Sequence, residues 1–158
     1  MFQKILVPTD FSQCAKKTLV CLTAIPWATD LILLHVIDGT HYTRRGWTHE
    51  PEIENAKIQL REEKGYLERA GKRVKDIVWV ITGGTVASEI LEVAREEQAS
   101  VIVMGCRGRN LISGLLLGSV SAGVLRHGKN PLLIIRDSVA EHLEGRVLEK
   151  YCSGIFTR

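Results

Sequence analysis

Five short apolar runs restrict the fold of this chain more than any other feature. None of the runs alternates with polar residues, as expected for strands covered on both faces. The segments between them carry apolar residues at helical spacing. This alternation predicts an α/β protein with a single, doubly wound, open parallel five-stranded sheet and helices on both faces, a Rossmann-like arrangement. The predicted strands are residues 4–7, 31–37, 77–81, 101–104 and 131–135.

Capping and breaking residues bound the predicted helices. Ser12 can cap the first helix, which Pro26 ends. Pro51 suits the first turn of a long second helix, and Gly71 can close it. The fourth helix is predicted to end at residues 126–128, Arg-His-Gly, where the glycine can take a left-handed conformation.

Composition excludes several classes of protein. The apolar runs fall far short of the roughly 20 residues that span a bilayer, and the N-terminus has no secretory signal pattern. We therefore expect a cytoplasmic protein without a membrane span. The four cysteines form no C-x-x-C pair and are expected to be reduced thiols. A net charge of +3 makes nucleic-acid binding an unfavoured function.

The chain of 158 residues fits one domain with an extension. Residues 1–138 hold the alternating strands and helices, and residues 38–50 form a predicted loop within them. Residues 139–158 lie outside the alternation. They could be a frayed tail, a docked helix or an arm that binds a partner.

Unusual residues follow two of the predicted strands. Residues 8–10, Pro-Thr-Asp, follow the first strand, and the glycine-rich residues 104–121 follow the fourth. In an open parallel sheet, ligands bind beyond the carboxyl ends of the strands, where the winding direction reverses. If both segments flank one crevice, strands one and four must be neighbours. This placement predicts the strand order 3-2-1-4-5.

The glycine-rich segment matches neither the Walker nor the Rossmann phosphate motif. Its spacing is Gly105-x2-Gly108-x9-Gly118-Ser119. The first two glycines allow backbone amides to approach a phosphate, and Gly118-Ser119 can open a helix whose free amides face an anion. The hydroxyls of Ser119 and Ser121 could donate to phosphate or cap that helix. The alternative interpretation is a tight exit from the sheet without any ligand.

The sequence resembles the universal stress protein family in three motifs. These are K-I-L-V-P-T-D at residues 4–10, L-L-H-V-I-D at 33–38 and M-G-x-R-G-x9-G-S at 104–119. The resemblance extends over about residues 3–137. The glycine spacing is that of the family's nucleotide-binding members, G-x2-G-x9-G-[ST].

The resemblance implies an ATP site, with Mg²⁺ or Mn²⁺ on the phosphates. It implies that Asp10 and Val36 frame the adenosine, and that the glycine-rich segment surrounds the ribose and phosphates. The charge of Arg107 suits a triphosphate. The full set of implied site residues is Pro8, Thr9, Asp10, Val36, Met104, Gly105, Arg107, Gly108, Gly118, Ser119, Val120 and Ser121.

Three of the polar residues also have structural interpretations. Asp10 could form an Asx turn or an accessory helix cap. His35 lies in an apolar strand and is expected to be a hydrogen-bonded core histidine rather than a catalytic base. Cys106 is expected to be a bystander thiol.

The leading functional hypothesis is an ATP-binding universal stress protein, a homodimer that acts as a nucleotide-dependent stress-response or signalling module with an unknown protein partner. One alternative is a slow ATPase or phosphotransferase, for which the sequence offers no clear base. The other alternative is an assembly or interaction protein without a nucleotide. Its working surface would be residues 115–117 and the C-terminal extension.

Overall fold

The computed structural model describes residues 3–39, 49–81, 83–106 and 117–136. Strands and helices alternate throughout these residues, all paired strands are parallel, and the order across the sheet is 3-2-1-4-5. The predicted class and strand order are confirmed. In chain order the elements are β1 (Ile5–Pro8), α1 (Gln13–Ala24), β2 (Asp30–Asp38), α2 (Glu50–Arg69), β3 (Arg73–Ile81), α3 (Val86–Glu96), β4 (Val101–Gly105), α4 (Ser119–His127) and β5 (Leu132–Ile135).

Each face of the sheet carries its own buried core. On one face, α1 and α2 contribute side chains such as Leu19 and Leu60. On the other face, α3 and α4 contribute Ile90 and Val124. Successive strand residues divide between the two cores, because side chains alternate across a strand; Leu6 belongs to the second core and its two neighbours to the first. Helices therefore cover both faces, as the uninterrupted apolar strands predicted.

The third strand is longer than its apolar run. The sequence predicted residues 77–81, whereas β3 begins at Arg73. β3 is an edge strand, so its first half can carry polar side chains that meet solvent. Arg73 lies beside Asp30 of β2, and their side chains form an ion pair with a nitrogen to oxygen distance of 2.6 Å. The apolar run marked only the half of the strand that is more deeply covered.

Specific contacts confirm three predicted helix boundaries. The Ser12 hydroxyl accepts a hydrogen bond from the Ala15 amide at 3.2 Å and caps α1. Pro51 lies in the first turn of α2. Gly71 follows the end of α2 with a φ of +81°, the left-handed conformation that glycine adopts without strain.

The fourth helix ends at Gly128 as predicted, but the left-handed conformation considered for this glycine was wrong. Its φ is −74°, an extended conformation that any residue can adopt. Glycine is required there for a steric reason, since a Cβ would lie 2.6 Å from the Val124 carbonyl oxygen. The sequence could not separate the two causes, because both depend on the absence of a side chain.

Gly123→Ala is expected to lower the free energy of unfolding by about 1 to 3 kcal/mol, although alanine favours a helix. A Cβ at Gly123 would lie 2.7 Å from the Ala87 Cβ on α3. Gly65 in α2 is the matched control, because its Cβ would meet only the flexible Arg69 guanidinium, at 3.3 Å. Gly65→Ala is expected to raise the free energy of unfolding by about 0.5 to 1 kcal/mol. Urea unfolding measures both variants, and a stabilised Gly123→Ala would contradict the packing argument.

Two expectations about the whole chain can be compared with the described residues. Cys14, Cys21 and Cys106 are buried and free of disulfides, and Cys152 lies outside the described part. Among the described helices, none is long and apolar enough to cross a membrane. The predicted loop over residues 38–50 was too long at both ends, since Asp38 belongs to β2 and Glu50 begins α2, and residues 40–48 between them lie outside the described part. Residues 115–116 and 139–158 also lie outside it, so the predictions for them stay predictions.

Candidate functional site

A cavity of about 230 Å³ opens at the carboxyl ends of β1 and β4. These two strands are neighbours, and the winding direction of the sheet reverses between them. This is the position at which open α/β sheets bind ligands. The cavity is lined by Pro8, Thr9, Asp10, Ala15, Leu34, Val36, Val86, Ile90, Met104, Gly105, Gly118, Ser119, Val120 and Ser121.

Every predicted site residue that the structure describes lines this cavity. The segment after β1, the end of β2 and the two ends of the glycine-rich segment converge there, although they lie far apart in sequence. Arg107 and Gly108 lie outside the described residues. The predicted role of each residue toward a ligand stays a prediction.

Sequence reasoning missed four residues of the lining: Ala15, Leu34, Val86 and Ile90. A signal existed for three of them. Leu34 lies two residues before Val36 and therefore on the same face of β2. Val86 and Ile90 are four residues apart on α3 and share one helix face. These side chains extend the apolar part of the cavity.

The cavity has an apolar side and a polar side. Leu34, Val36, Val86, Ile90 and Met104 supply the apolar surface. The polar side consists of Asp10 and the start of α4. A ligand that fits this distribution has an apolar part and an anionic part.

The start of α4 has amides without a side-chain cap. Its N-cap residue is Gly118, which has no side chain to accept from them. By contrast, Thr85 and Ser88 form a capping box at α3. The first amides of a helix have no acceptor within the helix and carry partial positive charge. This end of α4 can therefore bind an anion in the cavity.

The Ser121 hydroxyl has partners within the protein. It is 2% exposed, and its oxygen lies 3.0 Å from the carbonyl oxygens of both Cys106 and Gly118. The Gly118 amide also donates to the Cys106 carbonyl, at 2.8 Å. These bonds tie the start of α4 to the end of β4. Ser121 thus helps to fix the geometry of the cavity, and the roles predicted for the hydroxyls of Ser119 and Ser121 toward a phosphate stay predictions.

A tight turn follows β1 and carries Asp10 to the cavity. Asp10 Oδ1 accepts a hydrogen bond from the Ser12 amide at 3.0 Å, which confirms the predicted Asx turn. Phe11 has a φ of +61°, a left-handed conformation rare for a residue with a side chain. Asp10 therefore lines the cavity from a turn whose conformation needs support from its neighbours.

His35 supports this turn from β2. The ring is 9% exposed, and Nδ1 lies 2.8 Å from the Thr9 carbonyl oxygen. A carbonyl oxygen only accepts, so Nδ1 carries the hydrogen and donates it. The His35 and Phe11 rings also pack together, with centroids 4.3 Å apart. The prediction of a hydrogen-bonded core histidine is confirmed.

Glu63 supports the same turn from α2, and sequence reasoning missed it. Its side chain is buried, and Oε1 accepts a hydrogen bond from the Thr9 hydroxyl at 3.1 Å. Burial raises the pKa of Glu63 to about 7, an effect that the Thr9 hydrogen bond partly opposes. The sequence did contain a signal, since Glu63 shares a helix face with the buried Leu60 and Leu67.

The strand order, the two helical layers and the cavity at the reversal point define a Rossmann-like α/β domain. The chain belongs to the universal stress protein family, whose model matches residues 1–136. It is 33% identical to a universal stress protein of Methanocaldococcus jannaschii, in an alignment that covers 86% of this chain and 96% of the relative. A solved structure of that archaeal protein matches with a TM-score of 0.75 and 34% identity over the same shares of the two chains.

Two related structures contain nucleotides. One is a universal stress protein in complex with cAMP, 25% identical, with a TM-score of 0.63 and coverage of 85% of this chain and 97% of that one. The other is a universal stress protein from Archaeoglobus fulgidus in complex with dAMP, with a TM-score of 0.63. It covers 85% of this chain and 98% of that one, and at 21% identity its likeness concerns the fold.

Proposed function

We propose that this protein binds ATP in the cavity between β1 and β4 and acts as a nucleotide-dependent stress-response or signalling module, as a homodimer. One observation carries the proposal: a single cavity combines an apolar surface with a helix start whose amides have no side-chain cap. Family membership and the cAMP complex of a relative support an adenine nucleotide as the ligand.

The apolar side suits the adenine base. Val36 of β2 and Met104 of β4 lie on either side of β1 in the sheet, and Ile90 comes from α3, which packs on the sheet. A purine buried among these side chains loses apolar contact with water, which favours binding. Asp10 also lines the cavity, and its carboxylate can accept hydrogen bonds from the hydroxyl and amino groups of a nucleoside.

The polar side suits the phosphates. The amides at the start of α4 and the Ser119 hydroxyl supply donors, and the helix dipole favours negative charge there. Arg107 and Gly108, which lie outside the described residues, are proposed as further phosphate-binding residues on the sequence motif alone. In the described part of the chain, no group of three or more metal-binding side chains could hold an ion. The phosphates themselves would therefore hold the proposed Mg²⁺ or Mn²⁺, which would offset part of their charge.

ATP is expected to bind at least about tenfold more tightly than either adenosine or tripolyphosphate, because only ATP uses both sides of the cavity. Isothermal calorimetry with the three ligands measures the difference. Mass spectrometry of nucleotide retained through gentle purification provides an independent check. Tripolyphosphate binding as tightly as ATP would contradict the role of the apolar side, and absence of ATP binding would refute the proposal.

A further inference from the structure

A buried carboxyl group lies directly behind the β1 side of the cavity. Glu63 is 5% exposed, and its Oε1 accepts from the hydroxyl of Thr9, a residue that lines the cavity. Its second oxygen, Oε2, is buried and has no hydrogen-bond partner among the described residues. A carboxyl group in such surroundings holds a proton more readily than one in water. Glu63 is thus separated from the cavity by a single side chain.

The Thr9 hydroxyl connects Glu63 to the turn that carries Asp10. The Phe11 amide donates to Thr9 Oγ1 at 3.1 Å. Because an amide only donates, the hydroxyl accepts this bond and gives its own hydrogen to Glu63 Oε1. Asp10 lies between the two residues that are tied in this way. The carboxyl group of Glu63 therefore fixes both the rotamer of Thr9 and the left-handed turn at Phe11.

We propose that Glu63 is the positioning residue of the β1 side of the cavity: acting through Thr9, it holds the turn that presents Asp10 to the nucleotide, and release of its proton weakens nucleotide binding. This inference rests on the proposed function, since it concerns the affinity of the same site. Glu63 does not line the cavity itself and is hydrogen-bonded to Thr9, which does.

The charged groups around Glu63 differ in their effects. Lys16 on α1 attracts the carboxylate, whereas Asp10 and the adjacent Glu62 repel it. On β2, His35 is held by the Thr9 carbonyl, and on β3, Asp76 is paired with Lys64 at 2.9 Å. The dominant influence is burial, which raises the pKa of Glu63 to about 7. The carboxyl group therefore changes its charge within the range of pH 6 to 8.

The direction of the effect follows from charge. Above pH 7 an ionised Glu63 adds a negative charge behind a surface that already carries Asp10. A bound triphosphate is also negative, so the ionised form of the protein binds it less well. By linkage, bound ATP favours the protonated form of Glu63 to the same extent. ATP affinity is therefore expected to fall as pH rises through 7.

Calorimetry at pH 6, 7 and 8 gives the dissociation constant for ATP and tests whether release of the Glu63 proton weakens binding. The ratio of the wild-type constant to that of Glu63→Gln is expected to rise about fivefold from pH 6 to pH 8. Ionisation of ATP itself cancels in this ratio. Glu62→Gln is the matched control, since it removes the same charge from an exposed position one residue away. Glu62 is the smallest of the influences on the pKa of Glu63, so the ratio of the wild-type dissociation constant to that of Glu62→Gln is expected to change far less with pH.

The positioning role of Glu63 is tested by removing, one at a time, the two side chains that form the hydrogen bond between Thr9 and Glu63. Glu63→Met and Thr9→Val keep similar volumes and lose the bond, and each is expected to weaken ATP binding about fivefold at pH 6. The double variant is expected to bind no more weakly than the weaker single variant, because both changes break one connection. Glu63→Gln restores an acceptor oxygen and is expected to recover the affinity lost in Glu63→Met.

The possible results separate this inference from the proposed function. If the wild-type protein binds no ATP at any pH, the proposed function fails and this inference fails with it. If the wild-type protein binds ATP but its ratio to Glu63→Gln is constant across pH, only the inference is overturned. Additive losses in Glu63→Met and Thr9→Val would likewise overturn the positioning role. Should Glu63→Met fail to fold by circular dichroism, the Glu63→Gln pH ratio still decides.

Discussion

Gly118→Val is expected to weaken ATP binding about 100-fold. Gly118 lines the cavity and precedes the amides at the start of α4. A branched side chain there stands between those amides and the phosphates. The phosphates then lose charge-assisted hydrogen bonds and the effect of the helix dipole. This loss is expected to cost about 3 kcal/mol of binding free energy, which corresponds to about 100-fold in the dissociation constant. Calorimetric titration with ATP measures the loss.

The backbone at Gly118 makes this test specific for binding. Its φ of −72° and ψ of 163° are extended values that valine also adopts, so the variant is expected to fold. Gly83→Val is a matched control, because a Cβ at Gly83 meets no atom within 4 Å and the residue does not line the cavity. Its ATP affinity is expected to equal that of the wild type. Unchanged ATP affinity in Gly118→Val would refute the proposed phosphate site.

A serine at the same position separates helix capping from ligand binding. In Gly118→Ser the new hydroxyl can accept from the first amides of α4, which stabilises the helix by a few tenths of a kcal/mol. The same hydroxyl competes with the phosphates for those amides. Higher stability combined with weaker ATP binding is therefore the outcome that supports the assignment of α4 as the phosphate site.

The sequence predicted the sheet because burial on both faces leaves a strong local signal. β2 lies inside the sheet, and its apolar run was predicted almost to its full length. β3 is an edge strand, and its polar first half gave no such signal. The backbone at Gly128 depended on a contact with Val124 in the preceding turn, which composition does not reveal.

The sequence predicted those parts of the cavity that follow strands. Pro8, Thr9 and Asp10 were identified because polar and turn residues after a buried strand lie at the ligand-binding edge of a parallel sheet. Glu63 was missed because it lies in a helix rich in charged residues, where one carboxylate resembles another. The helical spacing from Leu60 and Leu67 separates Glu63 from its neighbour Glu62, and the packing of α2 against the sheet buries Glu63 and leaves Glu62 exposed.

This buried carboxyl group connects the stability of the fold with the site. Glu63 belongs to the face of α2 that holds the first core, and its hydrogen bond ends on a residue of the cavity. A carboxylate that cannot reach water is costly to bury, so the ionised form opposes folding. The same protonation that favours an anionic ligand therefore also favours the folded chain.

The free energy of unfolding of the wild-type protein, relative to that of Glu63→Gln, is expected to fall by about 3 kcal/mol between pH 4.5 and pH 7.5. Burial raises the pKa of Glu63 from 4.5 to about 7 in the folded chain. Below pH 4.5 Glu63 is protonated in both the folded and the unfolded chain, so the wild-type protein has its full stability relative to Glu63→Gln. Between 4.5 and 7 only the folded chain holds it, so stability declines as pH rises, and above 7 the difference is constant.

Urea unfolding of wild type, Glu63→Gln and Glu62→Gln at pH 5, 6, 7 and 8 measures this decline. Titrating groups other than Glu62 and Glu63 are common to the three proteins and cancel in the differences. Because glutamine cannot ionise, Glu63→Gln is expected to become more stable than the wild type toward pH 8. Glu62 is exposed and is the smallest of the influences on the pKa of Glu63, so the pH dependence of Glu62→Gln is expected to lie close to that of the wild type. Parallel curves for wild type and Glu63→Gln would mean that Glu63 is ionised throughout, and the carboxyl group would then have to be reached by water in the folded state.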